Sequence, residues 1–328
     1  MKTIVVTGVA GFVGSNLLTA LLEKGYFVVG IDNLSQGFLR NIERSLDNPN
    51  FKFIKDDVRN INVLKQACQG ADCIVHLAAF KIPRYGNALD TLFINKKGTE
   101  NVLEAARIND CKVVFTSTSD VYGKGPHLPF SECSDLHLGE TSIKRWSYAV
   151  SKLLDEHLCF AYQEEFNLPV TVIRYFGGYG PNQNTTWWGG PQSVFINCAL
   201  KNEPMTIHGN GLQTRSFTYV SDMIDGTMRV IENEDAVGEI FNIGNDREIT
   251  ILDLAKMIWK MVRKNSAPKL EYISYRSFSG RYEDVLRRIP DITKARDLLG
   301  FEPKVQLEEG LPKTIAWQKK INQGEQQK

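Results

Sequence analysis

The sequence predicts an α/β protein built on a doubly wound parallel sheet, and three observations predict it. Short β-branched runs alternate with helical patterns from Ile4-Val5-Val6 through the first half of the chain. Runs without polar interruption suit strands buried on both faces, and repeated strand–helix alternation implies right-handed crossovers. The first run passes at once into Gly8, Gly11 and Gly14, spaced three apart, and the second ends on an acid, Asp32.

Behind the glycine turn, Leu17, Leu18, Leu21 and Leu22 recur at helical spacing, and Phe27-Val28-Val29-Gly30-Ile31 supplies the second strand. A glycine turn that opens a helix exposes amides to a pyrophosphate, and an acid at the end of the second strand can accept both hydroxyls of an adenosine ribose. Asp32 argues for NAD, because the 2′-phosphate of NADP would meet a carboxylate; Arg40 is a loop arginine and reads as solvated. Strands are expected near 51–54, 73–75, 112–116 and 170–173, and helices near 63–67, 89–108 and 147–166. They complete two mononucleotide-like halves.

From Tyr175 the texture changes, as Gly177-Gly178, Gly180-Pro181, Gly189-Gly190-Pro191 and Gly209-Asn210-Gly211 break the rhythm. Residues 1–174 are therefore expected to form a Rossmann-type NAD-binding domain, and 175–328 mainly a smaller, discontinuous substrate lobe. Strand-like 216–220, helix-like 222–231 and strand-like 239–243 would return to the first domain, completing it over about 216–244. Two more helices are expected near 252–263 and 292–299, and the tail 322–328 is low in complexity and expected to fray.

The 328 residues suffice for one large or two moderate domains. A net charge of +1, with 23% charged residues, gives no reason to expect nucleic acid or a membrane surface as partner. The first residues enter a strand directly, without a signal-like apolar segment, so a cytoplasmic location is expected. Six cysteines lie scattered without Cys-x-x-Cys spacing, which indicates neither a metal site nor a disulfide framework.

Tyr148 and Lys152 lie four apart on the 147–166 helix and face one side of it. A lysine ammonium beside a tyrosine favours the phenolate, whose ordinary pKa is about 10, and makes it a base. Such pairs are common on solvated helix faces. This one gains weight from Thr116-Ser-Thr-Ser-Asp-Val-Tyr-Gly, which leaves the fifth strand at the sheet edge where the cofactor should lie. There Thr118 can hydrogen-bond a substrate hydroxyl.

Taken with Thr-Gly-x-x-Gly-x-x-Gly, the ordered motifs Asp56-Asp57-Val58-Arg59, His76-Leu77-Ala78-Ala79, Tyr148-x-x-x-Lys152, Arg174-Tyr175-Phe176, Gln213-Thr214-Arg215-Ser216-Phe217 and Arg288-Ile-Pro-Asp-Ile-Thr-Lys-Ala carry a resemblance. The chain resembles the extended short-chain dehydrogenase/reductases of the nucleotide-sugar epimerase, dehydratase and decarboxylase group over nearly its whole length. The resemblance implies a cofactor site of Gly8, Gly11, Phe12, Val13, Gly14, Asp32, Asn33, Thr116, Tyr148, Lys152 and Tyr175. Within it, Asp57 and Val58 hold the adenine, Leu77, Ala78 and Ala79 line the channel, and Lys152 binds the nicotinamide ribose. It implies a catalytic set of Thr118, Tyr148 and Lys152. On the substrate side it implies Thr118, Ser119, Asp120, Tyr148 and Gly177 near the sugar, Arg215 and Arg281 on the nucleotide diphosphate, and Asp284 on the nucleotide ribose. Arg281-Tyr-Glu-Asp284 departs from the Arg-Pro-Gly-Asp of many epimerases, and either arginine could instead form a surface ion pair. Lys81, Arg84, Trp187 and Trp188 are candidate sugar or base contacts and stay unassigned, since paired tryptophans serve equally as packing anchors. Relatives pair the helices near 87–108 and 147–166 into a homodimer, for which Leu153, Leu154, Leu158 and Phe160 are candidates.

All members of such a group begin alike, with the phenolate taking the proton of the sugar 4-hydroxyl as hydride leaves carbon 4. The later steps turn on the positions after Thr118. In 4,6-dehydratases these are Asp then Glu; here they are Ser119 and Asp120, which argues against dehydration. Uronate decarboxylases carry Ser-Glu, one methylene longer, and Pro83-x-Tyr85 also resembles them. A 4-epimerase needs no further acid or base and only room for the keto sugar to turn, which Gly177 would provide. The expectation is therefore a UDP-sugar 4-epimerase, with UDP-uronate decarboxylase, then 4,6-dehydratase, as alternatives. A catalytically silent NAD-sensing protein is the non-enzyme alternative, and intact Thr118, Tyr148 and Lys152 speak against it.

Overall fold

The computed structural model describes residues 1–81, 87–277 and 283–325. In it, β1 (Thr3–Thr7), α1 (Phe12–Glu23), β2 (Phe27–Ile31), β3 (Phe51–Ile54), α2 (Ile61–Ala67), β4 (Cys73–His76), α3 (Ala88–Asn109), β5 (Lys112–Thr118), α4 (Trp146–Phe166) and β6 (Val170–Tyr175) alternate as expected. There follow β7 (Gly178–Tyr179), α5 (Pro191–Lys201), β8 (Met205–His208), β9 (Thr214–Ser216), β10 (Thr218–Tyr219), α6 (Val220–Glu232) and β11 (Ile240–Ile243). The chain closes with β12 (Glu248–Thr250), α7 (Ile251–Val262), β13 (Leu270–Ile273), α8 (Thr293–Leu299) and α9 (Leu307–Glu325).

The main sheet has seven parallel strands in the order β11-β6-β5-β4-β1-β2-β3. Because successive side chains on a strand point to opposite faces, β1 feeds two cores. Ile4 and Val6 pack with Leu17, Leu18 and Leu21 of α1, whereas Val5 packs with Leu64, Val102 and Leu103 beneath α2 and α3. Each such aliphatic side chain contributes about 1.5–3 kcal/mol when fully buried. The strand order reverses between β1 and β4, the place where a doubly wound sheet opens a ligand crevice. A Cβ at Gly14 would overlap the Gly8 carbonyl oxygen, so only glycine lets α1 start this close to β1.

Beyond β6 the structure departs from expectation in three places. The single strand expected over 216–220 is two strands with different partners: β9 pairs antiparallel with β12, and β10 pairs parallel with β7. Val220 already belongs to α6. Helices α5 and α9 were hidden by glycine and proline, although Pro191 stands in the first turn of α5, where its missing N–H costs nothing. The expected fray also begins too early, because α9 runs to Glu325 and docks on α5 through Gln318 Nε2 to Ser193 O (2.8 Å) and Asn322 Nδ2 to Asn197 Oδ1 (2.8 Å).

Helices α3 and α4 leave an apolar ridge in solvent: Leu89, Phe93 and Ile108 on one, Val150, Leu154 and Phe166 on the other, with Phe93 66% exposed. Of the four residues named for helix pairing, only Leu154 is on that ridge; Leu153, Leu158 and Phe160 pack inward. All six cysteines are free thiols. Among the described residues no helix is long and apolar enough to cross a membrane, and no cluster of candidate metal ligands occurs.

Candidate active site

One end of the crevice is a dinucleotide cradle. The turn after β1 is held by Gly8 N donating to Ile31 O (2.8 Å) and Gly11 N donating to Gly8 O (3.1 Å). No side chain caps the N-terminus of α1 and no acid stands in its first turn, so its amides and positive dipole end are left for an anion. At the end of β2, buried Asp32 accepts from Ala10 N (2.9 Å) and Leu34 N (2.8 Å). Burial raises its pKa and these two amides pull it back. Asn33, Asp57, Val58, Leu77, Ala78 and Ala79 line the same chamber. Arg59, 2.8 Å away, holds the Asp57 carboxyl down at about 2 against the opposing effect of burial, and Asn33 Nδ2 donates to it (2.8 Å). These residues fit a dinucleotide with free ribose hydroxyls. Sequence reading missed Ser35, Gln36, Gly37 and Phe38, which line this end without any motif to mark them; Arg40 stacks on the Phe38 ring at 4.3 Å.

Asp32→Ala removes the charged acceptor for those hydroxyls. Hydrogen bonds to charged groups contribute about 1.5–3 kcal/mol, so the NAD dissociation constant is expected to rise roughly 10- to 100-fold in calorimetry. Binding of NADP by the unaltered protein as tightly as NAD would contradict this assignment.

The cradle joins a second chamber lined by Val13, Thr116, Thr118, Ser119, Asp120, Tyr148, Lys152, Tyr175, Gly177, Arg215 and Asp284. The structure thus brings together the described members of the expected site; Arg281, like Arg84, lies outside the described residues. Thr118 ends β5, and its hydroxyl accepts from Asp120 N (3.2 Å). Lys152 is 2% exposed, donates to Thr116 O (2.8 Å) and lies over the Phe115 ring at 4.4 Å.

One expectation needs correction. Tyr148 is not a preformed phenolate: burial, then the charges of Asp120 and Asp155, push its pKa well above the ordinary tyrosine value. Helical spacing places the lysine beside the tyrosine, but its ammonium is turned to a carbonyl, and burial lowers its own pKa.

Two acids organise the arginines. Arg288 forms a very short ion pair with Asp120, and Arg145 approaches the same carboxylate at 3.5 Å. Burial opposes ionisation of Asp120, yet these guanidinium groups hold it far below the usual carboxylate range. Asp284 accepts from Arg145 (3.1 Å), Arg215 (2.9 Å), the Tyr275 hydroxyl (2.8 Å) and Val285 N (2.9 Å), so its described role is to gather arginines. Burial pushes Arg215 down to about 10, with Asp284 opposing. Lys81 lines both chambers, its ammonium pushed down by burial while Asp120 opposes. Trp187 stacks on His208 at 4.5 Å and both line the cleft, whereas Trp188 meets Phe80 edge-on. Gly177 has a different reason from pocket room: its φ is +36° and a Cβ would overlap Ser216 O. Sequence reading missed Arg145, which no motif marks, and gave Arg288 no role although it opens a quoted motif.

Comparison with known proteins places this architecture among nucleotide-sugar enzymes. The family model described as GDP-mannose 4,6 dehydratase matches residues 5–314. The chain is 36% identical over 323 residues to UDP-N-acetyl-alpha-D-glucosaminuronate decarboxylase of Bacillus cytotoxicus, covering 98% of each. It is 38% identical to UDP-glucuronic acid decarboxylase 4 of Arabidopsis thaliana, covering 94% of this chain and 67% of that one. Among solved structures it is similar to UDP-glucuronic acid 4-epimerase from Bacillus cereus in complex with UDP-glucuronic acid and NAD, with TM-score 0.88 and 33% identity over 98% of this chain and 100% of that one. It also resembles dTDP-glucose 4,6-dehydratase from Bacillus anthracis in complex with NAD, with TM-score 0.86 and 27% identity over 98% of each.

Proposed function

This chain belongs to the GDP-mannose 4,6-dehydratase family of NAD-dependent nucleotide-sugar enzymes, and we propose that within it the chain decarboxylates a UDP-linked uronic acid. The observation that carries the uronate part of this reading is Arg288. It lines the substrate chamber, and Asp120 anchors one amino group of it beside Ser119. Its remaining N–H groups make no other hydrogen bond among the described residues. A guanidinium with open donors at the sugar end suits a carboxylate, which it can meet bidentately. The decarboxylases among the relatives support the same choice.

The chain's own residues account for the steps. Tyr148 takes the proton of the sugar 4-hydroxyl while Thr118 holds the same oxygen. Gly8, Gly11, Gly14 and Asp32 would hold the dinucleotide, which would supply a reversible hydride acceptor and a positive ring that favours the phenolate. Oxidation at carbon 4 leaves a β-keto acid. Its bond to the carboxylate breaks, carbon dioxide departs, and the electron pair enters an enolate whose oxygen Thr118 and Tyr148 stabilise. A proton from water entering the chamber then adds to carbon 5 in place of carbon dioxide, and Tyr148 gives its proton back to the carbon 4 oxygen as the ketone is reduced. Asp120 is held ionised and is no donor of that proton at neutral pH; it aims Arg288.

Epimerisation at carbon 4 is the second reading. The likeness to the UDP-glucuronic acid 4-epimerase favours it, and so does an acid one methylene shorter than the glutamate of the decarboxylases. Incubation with NAD and either UDP-glucuronate or UDP-N-acetylglucosaminuronate, followed by NMR, decides. A UDP-pentose or its 2-acetamido analogue with carbon dioxide is expected. A 4-epimeric uronate without carbon dioxide makes it an epimerase, and turnover of uncharged UDP-sugars alone overturns the uronate assignment.

A further inference from the structure

Behind Tyr148 and Lys152 lies an acid that the proposed chemistry leaves unused. Asp155 stands three residues beyond Lys152 on α4, is 0% exposed, and neither of its carboxylate oxygens has a hydrogen-bond partner among the described residues. A buried carboxylate without partners is costly, which marks the position.

Among the described residues its neighbours leave one cation to answer it. On α4, Glu156 is engaged by Arg174 (2.7 and 3.1 Å) and by the Ser117 hydroxyl, and burial keeps the Cys159 thiol protonated. On α3, Lys96 is paired with Glu100 (2.7 Å) at the surface, and the Thr99 hydroxyl faces Asp155 without reaching hydrogen-bond geometry. Thr99 turns instead to His76 of β4 (3.3 Å), whose other nitrogen meets Thr7 (2.7 Å); burial pushes His76 down to about 3, so that ring stays neutral. Lys152 remains, its ammonium resting on the neutral Thr116 carbonyl.

We propose that Asp155 is a positioning residue that sets the charge of the Lys152–Tyr148 pair from behind: ionised, it keeps Lys152 protonated and makes the Tyr148 phenol harder to ionise. Burial pushes the Asp155 carboxyl up to about 6, with Lys152 opposing, so its charge changes just below neutral pH. Protonation there releases the restraint on Tyr148, so the phenolate is lost less steeply as pH falls toward that range than from a tyrosine with no such neighbour. The inference rests on Tyr148 as base, which a Tyr148→Phe variant tests separately.

The experiment has two arms. In kcat/KM profiles on the uronate substrate, Asp155→Asn is expected to lower the apparent pKa of the base limb by roughly half a unit or more and to abolish an inflection near pH 6 seen in the unaltered protein. Asp155→Leu should do the same, whereas a merely structural role would lower activity without moving the profile. Unchanged profiles in both variants overturn the proposal. Should neither variant fold, ¹³C NMR of aspartate-labelled unaltered protein decides: an Asp155 carboxyl titrating near 6 supports it, and one titrating near 4 overturns it.

Discussion

Tyr148→Phe is expected to lower turnover roughly 10²–10⁴-fold while leaving nucleotide-sugar affinity within a few-fold of the unaltered protein. The substitution removes one oxygen and nothing from the packing of α4. No hydrogen bond of that hydroxyl to a described residue holds the fold, and the proposed diphosphate and uronate contacts are assigned to Arg215 and Arg288 instead. The loss should fall on kcat because the phenol acts on a proton in the transition state rather than on ground-state binding. Steady-state kinetics with calorimetry on the sugar nucleotide checks both halves. Near-normal turnover would show that another group is the base.

The second large effect is expected at Asp120. Asp120→Asn keeps the shape of the side chain but removes the charge that Arg288 and Arg145 share. Those two guanidinium groups would then face a neutral amide, Arg145 would keep Asp284 as its partner, and Arg288 would lose the charge that aims it at the proposed substrate carboxylate. The Asp120 side chain is 30% exposed, so solvent tempers the change in stability. Carbon dioxide release should still fall by about 10²-fold or more, since the geometry of the leaving carboxylate depends on that arginine. An enzyme that epimerises needs no such alignment and should lose only a modest factor. Carbon dioxide release kept within a few-fold of the unaltered protein would remove Asp120 from the mechanism.

The features legible in the sequence and those hidden in it divide along one physical line. Gly8, Gly11, Gly14 and Asp32 were legible because a strand, turn, helix and strand bring them together over a few residues. Tyr148 and Lys152 were legible because helical spacing makes them neighbours. That spacing did not say where the ammonium points, and the phenolate expectation failed on the Thr116 carbonyl and on burial. Arg288 and Asp120 are 168 residues apart, and Arg145 and Asp284 are 139 apart, so no local pattern could join them. Asp155 looks like an ordinary polar residue on a helix until α3 closes over it. The split at Phe217 was hidden for a related reason, since β9 and β10 differ in partner and not in propensity.

The main sheet is finished out of order, and that matters while the chain is being made. Strand β6 ends at Tyr175, whereas its neighbour β11 begins at Ile240, 65 residues later. At about 5–20 residues per second on the ribosome, the outer edge of β6 waits roughly 3–13 s for its partner. Through that interval the row from Val172 to Tyr175 presents unpaired backbone groups on an apolar strand, the kind of edge that recruits other chains. Any lesion that delays the arrival of Ile240–Ile243 lengthens the exposure of the nascent protein without touching a single residue of the active site.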